Sequence, residues 1–198
     1  MILIVPMGDV KIGYLEKAKV YVKEAYREDV KLTKKISLNK NCLEKKRKQY
    51  KASCLIKNSK DFKEGKIAYV CDVDLYEADY SFLFGLAENI IGRRCIVSIL
   101  RLKETFYGKS EDENLLSVRI AKEIIHEVGH LKGLRHCPNE KCIMHISKSI
   151  YDTDFKDLKL CKECENKLNI NQENSNDVKS EEIRHFNFIS FLKNYFKR

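Results

Sequence analysis

The fold class rests on one segment, His126-Glu127-Val128-Gly129-His130-Leu131-Lys132-Gly133-Leu134-Arg135-His136, which has the form HExxHxxGxxH. On an α-helix, His126 and His130 lie one turn apart on the same face, so both imidazoles can reach one Zn²⁺ at about 2.0–2.1 Å. Gly133 can adopt a left-handed conformation that ends the helix and lets His136 return to the metal. Such a match arises by chance at odds on the order of 1 in 10⁵. We therefore interpret the three histidines as metal ligands and not as ordinary core histidines.

Three histidine ligands leave one position of a tetrahedral zinc for water, which is typical of a catalytic rather than a structural zinc. Glu127 follows the first ligand and is not needed as a fourth one. Its expected role is that of general base, which takes a proton from the zinc-activated water and passes it to a leaving amine. The segment therefore predicts a hydrolase that cleaves amide bonds, although such a metal site can also persist in a protein that has lost activity.

Helices and strands alternate around this segment. Apolar residues at helical spacing predict an active-site helix over 113–132, which Gly133 ends. Other patterns predict helices at 14–25 and 43–56, the second with a basic run at 45–51, and strands at 2–6, 30–38, 66–73, 80–86 and 94–102. The interleaving indicates an α/β (α+β) domain with a small C-terminal appendage.

The chain has eight cysteines, which is many for a sequence in which we recognise no export signal. Four of them lie in two close pairs directly after the third histidine, and this spacing matches a tetrahedral zinc site with Zn–S distances of about 2.3 Å: Cys137, Cys142, Cys161 and Cys164. Such a site would clamp the loop that carries His136 to the segment that follows. Two disulfides, four free thiols and an iron–sulfur cluster are the alternatives. The other four are expected to be small core residues: Cys42, Cys54, Cys71 and Cys95.

Met144, eight residues after His136, completes a longer pattern of HExxHxxGxxHC, then CxM, then a downstream CxxC. Together with Val73-Asp74-Leu75-Tyr76 and Phe84-Gly85-Leu86-Ala87, this pattern resembles the archaemetzincins, a family of zinc-dependent metallopeptidases. The resemblance implies a metzincin-like zincin fold with a mixed twisted sheet and an active-site helix. It also implies a C-terminal segment clamped by a four-cysteine zinc site.

The same resemblance implies two Zn²⁺ per chain. The catalytic zinc would be held by His126, His130 and His136, with Glu127 as the base. The structural zinc would be held by Cys137, Cys142, Cys161 and Cys164. Met144 would form an apolar floor beneath the histidine ligands. In such folds a strand of the upper sheet lines the substrate site and can bind an extended peptide, a role that we assign to 94–102.

Length and composition are consistent with one domain and an appendage. The chain has 198 residues, 43% of them hydrophobic, and a formal net charge of +9. We expect a peptidase domain at 1–168, a polar linker at 169–178 and an amphipathic helix at 179–198. No apolar run approaches the ~20 residues needed to span a bilayer, and MILIVPMGDV at the start lacks the features of a signal peptide. A cytoplasmic location is therefore expected.

Two functions of different class fit these observations. The first is a zinc-dependent metallopeptidase that acts on peptide or protein substrates. The alternative is a non-catalytic zinc protein that binds nucleic acid or a protein partner through its basic surface. We favour the peptidase because a surface rich in lysine is most often simply a solvated surface, whereas the three-histidine spacing has no comparable structural explanation.

Overall fold

Nine strands and five α-helices, with three short 3-10 helices, are formed by residues 1–78 and 80–177, the part of the chain that the computed structural model describes. The strands are β1 (Ile2–Met7), β2 (Val30–Leu32), β3 (Leu43–Glu44), β4 (Gln49–Lys51), β5 (Lys66–Cys71), β6 (Leu75–Glu77), β7 (Tyr80–Leu83), β8 (Gly85–Ala87) and β9 (Arg94–Ser98). The helices are α1 (Ile12–Tyr26), α2 (Ala52–Lys57), α3 (Glu113–Leu131), α4 (Ile150–Phe155) and α5 (Lys162–Asp177).

A five-stranded mixed sheet forms the centre of the fold, in the order β2-β1-β5-β9-β8. Four of its strands are parallel, and β8 at one edge runs antiparallel to β9. Strands β1 and β5 are buried almost throughout. Parallel strands covered on both faces are continuous apolar runs, which is why both were predicted from the sequence. A second, smaller sheet has the order β3-β4-β6-β7.

Alternate residues of the central strands serve two hydrophobic cores, because successive side chains of a strand point to opposite faces. Ile4 and Val70 pack on one face with α1 and α3. Val5 and Tyr69 pack on the other face, with Leu55 of α2 and with the second sheet. The central sheet is therefore covered on both sides.

The active-site helix predicted at 113–132 is confirmed as α3. The side chain of Asp112 caps it by accepting hydrogen bonds from the backbone N–H groups of Asn114 and Leu115, at 3.0 and 2.9 Å. The helix ends just before Gly133, whose φ of +91° lies in the left-handed region. The second half of α3 is buried on every side, so the metal-binding positions lie on a rigid element.

Three predicted strands are shorter than expected or divided. Segment 30–38 is a strand only in β2, 80–86 is divided between β7 and β8, and 94–102 ends as strand β9 at Ser98. The division at Phe84 takes the chain from the second sheet to the edge of the central one. An apolar run indicates that a segment is buried, but it does not indicate which sheet the segment joins.

The prediction of a surface helix at 43–56 is wrong. Strands β3 and β4 form an antiparallel hairpin whose turn is the basic stretch 45–48, and only Ala52–Lys57 is helical, as α2. Tyr50 of β4 pairs with Leu75 of β6. A partner distant in sequence therefore fixes the extended form, against the helical propensity of the lysines.

A disulfide joins Cys42 and Cys54 across this hairpin. Cys42, Cys71 and Cys95 are buried core residues as predicted, and Cys54 is partly buried against the same core as Cys42. The disulfide itself was not predicted, whereas Cys71 and Cys95 are free. The spacing of Cys42 and Cys54 gave no sign of the bond because their approach depends on the hairpin turn between them.

The C-terminal helix α5 continues through Asp177. The polar stretch 171–177, part of the linker predicted at 169–178, is therefore helical and not a break. The amphipathic helix predicted at 179–198 lies outside the described residues, and the domain boundary at 168 stays a prediction. Among the described helices, none combines the length and the apolar character that crossing a bilayer requires.

Candidate metal centres

Three histidines converge at the C-terminal end of α3. His126 and His130 leave the helix one turn apart, and His136 follows the turn at Gly133. One ligand nitrogen from each of the three lies within 4.8 Å of the other two. The structure thus brings together the residues that the sequence predicts as ligands of one metal.

The hydrogen bonds of His126 and His130 decide which ring nitrogens can bind a metal. Nδ1 of His126 lies 2.9 Å from the carbonyl oxygen of Ile143, and Nδ1 of His130 lies 2.8 Å from that of Leu134. Since a carbonyl oxygen only accepts, each Nδ1 carries a proton and each Nε2 presents a lone pair.

The two Nε2 atoms of His126 and His130 lie 3.1 Å apart. Two lone pairs at this distance repel each other unless a cation lies between them. Zn–N bonds of about 2.05 Å place two ligand nitrogens about 3.3 Å apart in a tetrahedron. The donor set and its hydrogen bonds therefore fit a zinc ion.

Burial keeps the three histidines neutral. It lowers the pKa of His126 well below its usual value, that of His130 to about 4 and that of His136 to about 2, and the positive charge of Lys156 contributes in each case. Neutral imidazole is the form that binds a metal ion, so the site does not have to lose protons before it can do so.

Glu127 lies on α3 beside the first ligand and is 5% exposed. Burial raises its pKa well above the usual range, and the Glu123 carboxylate raises it further, while the charge of Lys156 and the Ala87 backbone N–H lower it. Its Oε2 atom is buried and has no hydrogen-bond partner among the described residues. A carboxylate oxygen in this state can accept a proton from a water molecule beside it.

Gly85 on β8 is a residue to which the sequence analysis gave no role. A Cβ atom at this position would lie 2.6 Å from Oε1 and 2.9 Å from Cδ of Glu127. Only glycine therefore lets β8 come this close to the carboxylate. The residue lies within a quoted motif, Phe84-Gly85-Leu86-Ala87, but nothing in the sequence indicates its contact with Glu127.

Met144 lies against α3 between the two helical ligands. A Cβ atom on Gly129 would collide with the sulfur of Met144 and would lie 3.2 Å from the hydroxyl of Tyr26. Met144 is fully buried, and its carbonyl accepts a hydrogen bond of 2.9 Å from the Cys137 N–H. The loop that follows the third histidine therefore returns to the helix surface at the level of the histidines.

The four clustered cysteines also converge, with their sulfur atoms within 4.8 Å of one another, and none of them forms a disulfide: Cys137, Cys142, Cys161 and Cys164. The sulfurs of Cys137 and Cys161 are 3.7 Å apart, close to the spacing of about 3.8 Å that two Zn–S bonds of about 2.3 Å give in a tetrahedron. Burial opposes ionisation of Cys161, yet hydrogen bonds from the Cys164 N–H and from neighbouring thiols lower its pKa. The donor set fits a structural zinc.

A buried polar stripe on α3 extends the metal-binding face and was not predicted. Arg119 and Glu123 on this stripe are each 3% exposed. Arg119 binds the carboxylate of Asp154 through two hydrogen bonds of 2.7 and 2.6 Å, and Glu123 pairs with Lys156 at 3.4 Å. These contacts fix the segment around α4 to the helix that carries the histidines. Charged residues at helical spacing among apolar ones were the only sequence signal.

The prediction that 94–102 binds an extended peptide is wrong, because this segment forms β9 in the interior of the sheet. Strand β9 is paired on both sides, with β5 and β8, so it cannot accept a further strand. Strand β8 forms the edge of the sheet, and Gly85 and Ala87 on it contact Glu127. An edge strand is the place where an extended peptide can add to a sheet.

Comparison with curated proteins connects this arrangement with known relatives. The archaemetzincin of Pyrococcus furiosus is 47% identical over 107 residues, which are 54% of this chain and 55% of that protein. The archaemetzincin of Methanocaldococcus jannaschii is 46% identical over 99 residues, 50% of this chain and 55% of that protein. The chain thus spans about half the length of the curated relatives that it matches.

Solved structures share the fold over much more of the chain. The archaemetzincin of Methanopyrus kandleri has a TM-score of 0.75 and 30% identity, over 87% of this chain and 96% of that one. A zinc-dependent peptidase of Methanocorpusculum labreanum has a TM-score of 0.76 and 28% identity, over 85% of this chain and all of that one. The metzincin-like α/β fold and the mixed sheet are as predicted.

The family model that matches is that of peptidase family M54, over residues 9–170. This range contains both sheets apart from β1, the three histidines and the four clustered cysteines. The chain therefore belongs to peptidase family M54, in agreement with its resemblance to the archaemetzincins.

Proposed function

We propose that the protein is a zinc-dependent metallopeptidase that hydrolyses peptide bonds. In this proposal His126, His130 and His136 hold a catalytic zinc, and Glu127 is the general base. The main support is that the Nε2 atoms of His126 and His130 lie 3.1 Å apart with their lone pairs directed at the same site. A hydrogen bond from Nδ1 to a backbone carbonyl fixes the orientation of each ring. Family membership supports the same reaction class.

In this proposal Glu127 and the edge of β8 have separate roles in hydrolysis of the peptide bond. When bound, zinc supplies Lewis-acid polarisation of the scissile carbonyl and lowers the pKa of water. Glu127 accepts a proton from the attacking water at Oε2, which has no partner among the described residues, and then donates it to the leaving amine. The edge of β8 aligns an extended substrate beside this carboxylate.

We propose a second, structural zinc on Cys137, Cys142, Cys161 and Cys164, which gives two zinc ions per chain. Its role is to fix the loop that carries His136 and Met144, with Met144 as the apolar floor of the site. The support is the convergence of four sulfurs in a stretch of chain with few helices or strands of its own.

We infer a cytoplasmic location, because a four-thiolate site requires reduced cysteines. The disulfide between Cys42 and Cys54 fits this location if the source is a hyperthermophile, whose intracellular proteins are often rich in disulfides. We also infer that 1–168 is the catalytic domain.

The direct test of the reaction is cleavage of a peptide library by the full chain, before and after removal of metal by a chelator. We expect cleavage that stops on chelation and returns when zinc is added. Cleavage that persists in protein verified to be free of metal would show that the reaction class is wrong.

Replacing Gly85 by Ala should lower kcat/KM at least tenfold, because the new Cβ would lie 2.6 Å from Oε1 of Glu127 and would force the carboxylate to move. Steady-state kinetics on a cleaved peptide measure the effect. Gly13→Ala is the matched control, since a Cβ there meets no atom within 4 Å. Equal rates for the two variants would exclude Gly85 from the site.

A further inference from the structure

Most of the excess positive charge of the chain lies in one short segment, residues 40–57. This segment contains seven Lys and Arg residues and a single carboxylate, Glu44, so it contributes +6 of the formal net charge of +9. It comprises β3, β4 and α2, and we refer to it as the basic hairpin. None of the residues proposed to bind zinc belongs to it.

The lysines of the turn are exposed to solvent and pair with no carboxylate in the described part of the chain. Lys45, Lys46 and Lys48 are exposed, and their ammonium groups form no ion pair within residues 1–78 and 80–177. Lys40 and Lys57, at the two ends of the basic hairpin, are also exposed, and they too form no ion pair with a described residue. These five cations remain available to a partner from outside the chain.

The backbone that presents the lysines is held in place. Arg47 donates hydrogen bonds to the carbonyls of Tyr80 and Ser81, at 2.9 and 3.1 Å, and to Gln49 at 2.8 Å. Its guanidinium also stacks 4.4 Å from the ring centroid of Tyr76. The disulfide at the base of the hairpin closes the loop. A preorganised turn loses little conformational entropy when it binds.

The side chains exposed on the basic hairpin indicate which class of partner it can bind. No large apolar side chain is exposed between residues 40 and 57, whereas protein interfaces are built around apolar and aromatic residues and are depleted in lysine. The same lack of exposed aromatic rings removes the stacking on which binding of single strands depends. Lysine ammonium groups on flexible stems suit the phosphates of a regular duplex.

We propose that the basic hairpin binds the phosphate backbone of double-stranded nucleic acid without preference for sequence. The basic hairpin shares no residue with the proposed peptidase site, so either proposal can fail without the other. It gives the protein a way to stay close to substrates that are themselves bound to nucleic acid.

The test measures binding of the full chain to a labelled 20-base-pair DNA duplex by fluorescence anisotropy over a range of salt concentrations. The variant Lys45→Ser/Lys46→Ser/Lys48→Ser is compared with Lys23→Ser/Lys31→Ser/Lys162→Ser, which removes the same charge from α1, β2 and α5. In the first variant we expect the slope of log K against log salt to become less steep by about 2.7, since each lost phosphate contact removes about 0.9. Affinity at 0.1 M salt should fall by more than about tenfold. In the control variant the slope should differ from that of the wild type by less than about 0.9, the contribution of one phosphate contact.

Equal slopes in the two variants would overturn the proposal, because binding would then reflect net charge alone. Tighter binding to polyglutamate, to vesicles containing phosphatidylserine or to single-stranded DNA, when it is lost in the same variant, would also overturn it in favour of that partner. Peptide hydrolysis should be equal in all three proteins, which separates this result from any failure of the peptidase site.

Discussion

Replacement of Glu127 by Gln is expected to lower kcat by about 10²–10⁴-fold, the usual contribution of a general base. Gln has nearly the same shape and can still accept the hydrogen bond from the Ala87 N–H, but its amide cannot take a proton at pH 7. The fold and the metal ligands should be unaffected. Peptide cleavage measures the loss, and mass spectrometry of the metal content should still find two zinc ions per chain.

Glu123→Gln is the matched control for this prediction. Glu123 is a buried carboxylate one helical turn before Glu127, and it pairs with Lys156 at 3.4 Å. Its replacement should reduce thermal stability, because the buried ammonium loses its counter-charge, and should reduce kcat far less than Glu127→Gln. If Glu127→Gln retained the wild-type kcat, the proton would have to move through another group.

Removal of two structural thiolates, in Cys142→Ser/Cys164→Ser, should have the second large effect. The segment that these residues clamp supplies the Ile143 carbonyl that orients His126, and it also carries His136. We expect the variant to lose one zinc, to unfold at a clearly lower temperature and to lose most of its peptidase activity. A structural zinc contributes on the order of 10 kcal/mol to the stability of small zinc domains. The variant should therefore lose part of this contribution to its free energy of unfolding.

The control for the cysteine variant is Cys95→Ala, which removes a buried free thiol outside the cluster. It should keep both zinc ions and cost only the free energy of a small cavity, about 1 kcal/mol. A double variant that kept two zinc ions, or that had the stability of Cys95→Ala, would argue against a four-cysteine metal site.

The helix and both ligand sets could be predicted because their signals are local. Metal ligands at i and i+4, followed by a glycine turn, fix geometry within eleven residues, and α3 follows that pattern from its Asp112 cap to Gly133. The cysteine pairs are equally compact in sequence. Strands β1 and β5 were clear because burial on both faces makes them apolar throughout.

The features that were missed depend on contacts between distant segments. The basic stretch 45–48 has the composition of a helix, and only its pairing through Tyr50 to β6 makes it a hairpin. Gly85 matters only because β8 passes within van der Waals reach of Glu127. Whether β8 or β9 is the edge strand depends on the order of strands in the sheet, which apolar patterns do not encode.

The central claim is that three imidazoles converge on one catalytic zinc while four thiolates hold another. Its most direct test is the zinc content per chain of the purified wild type and of His126→Ala/His136→Ala, measured by mass spectrometry. We predict two zinc ions in the wild type and one in the variant, with the variant still folded around its cysteine site. A wild type with one zinc that the histidine variant retains would contradict the claim.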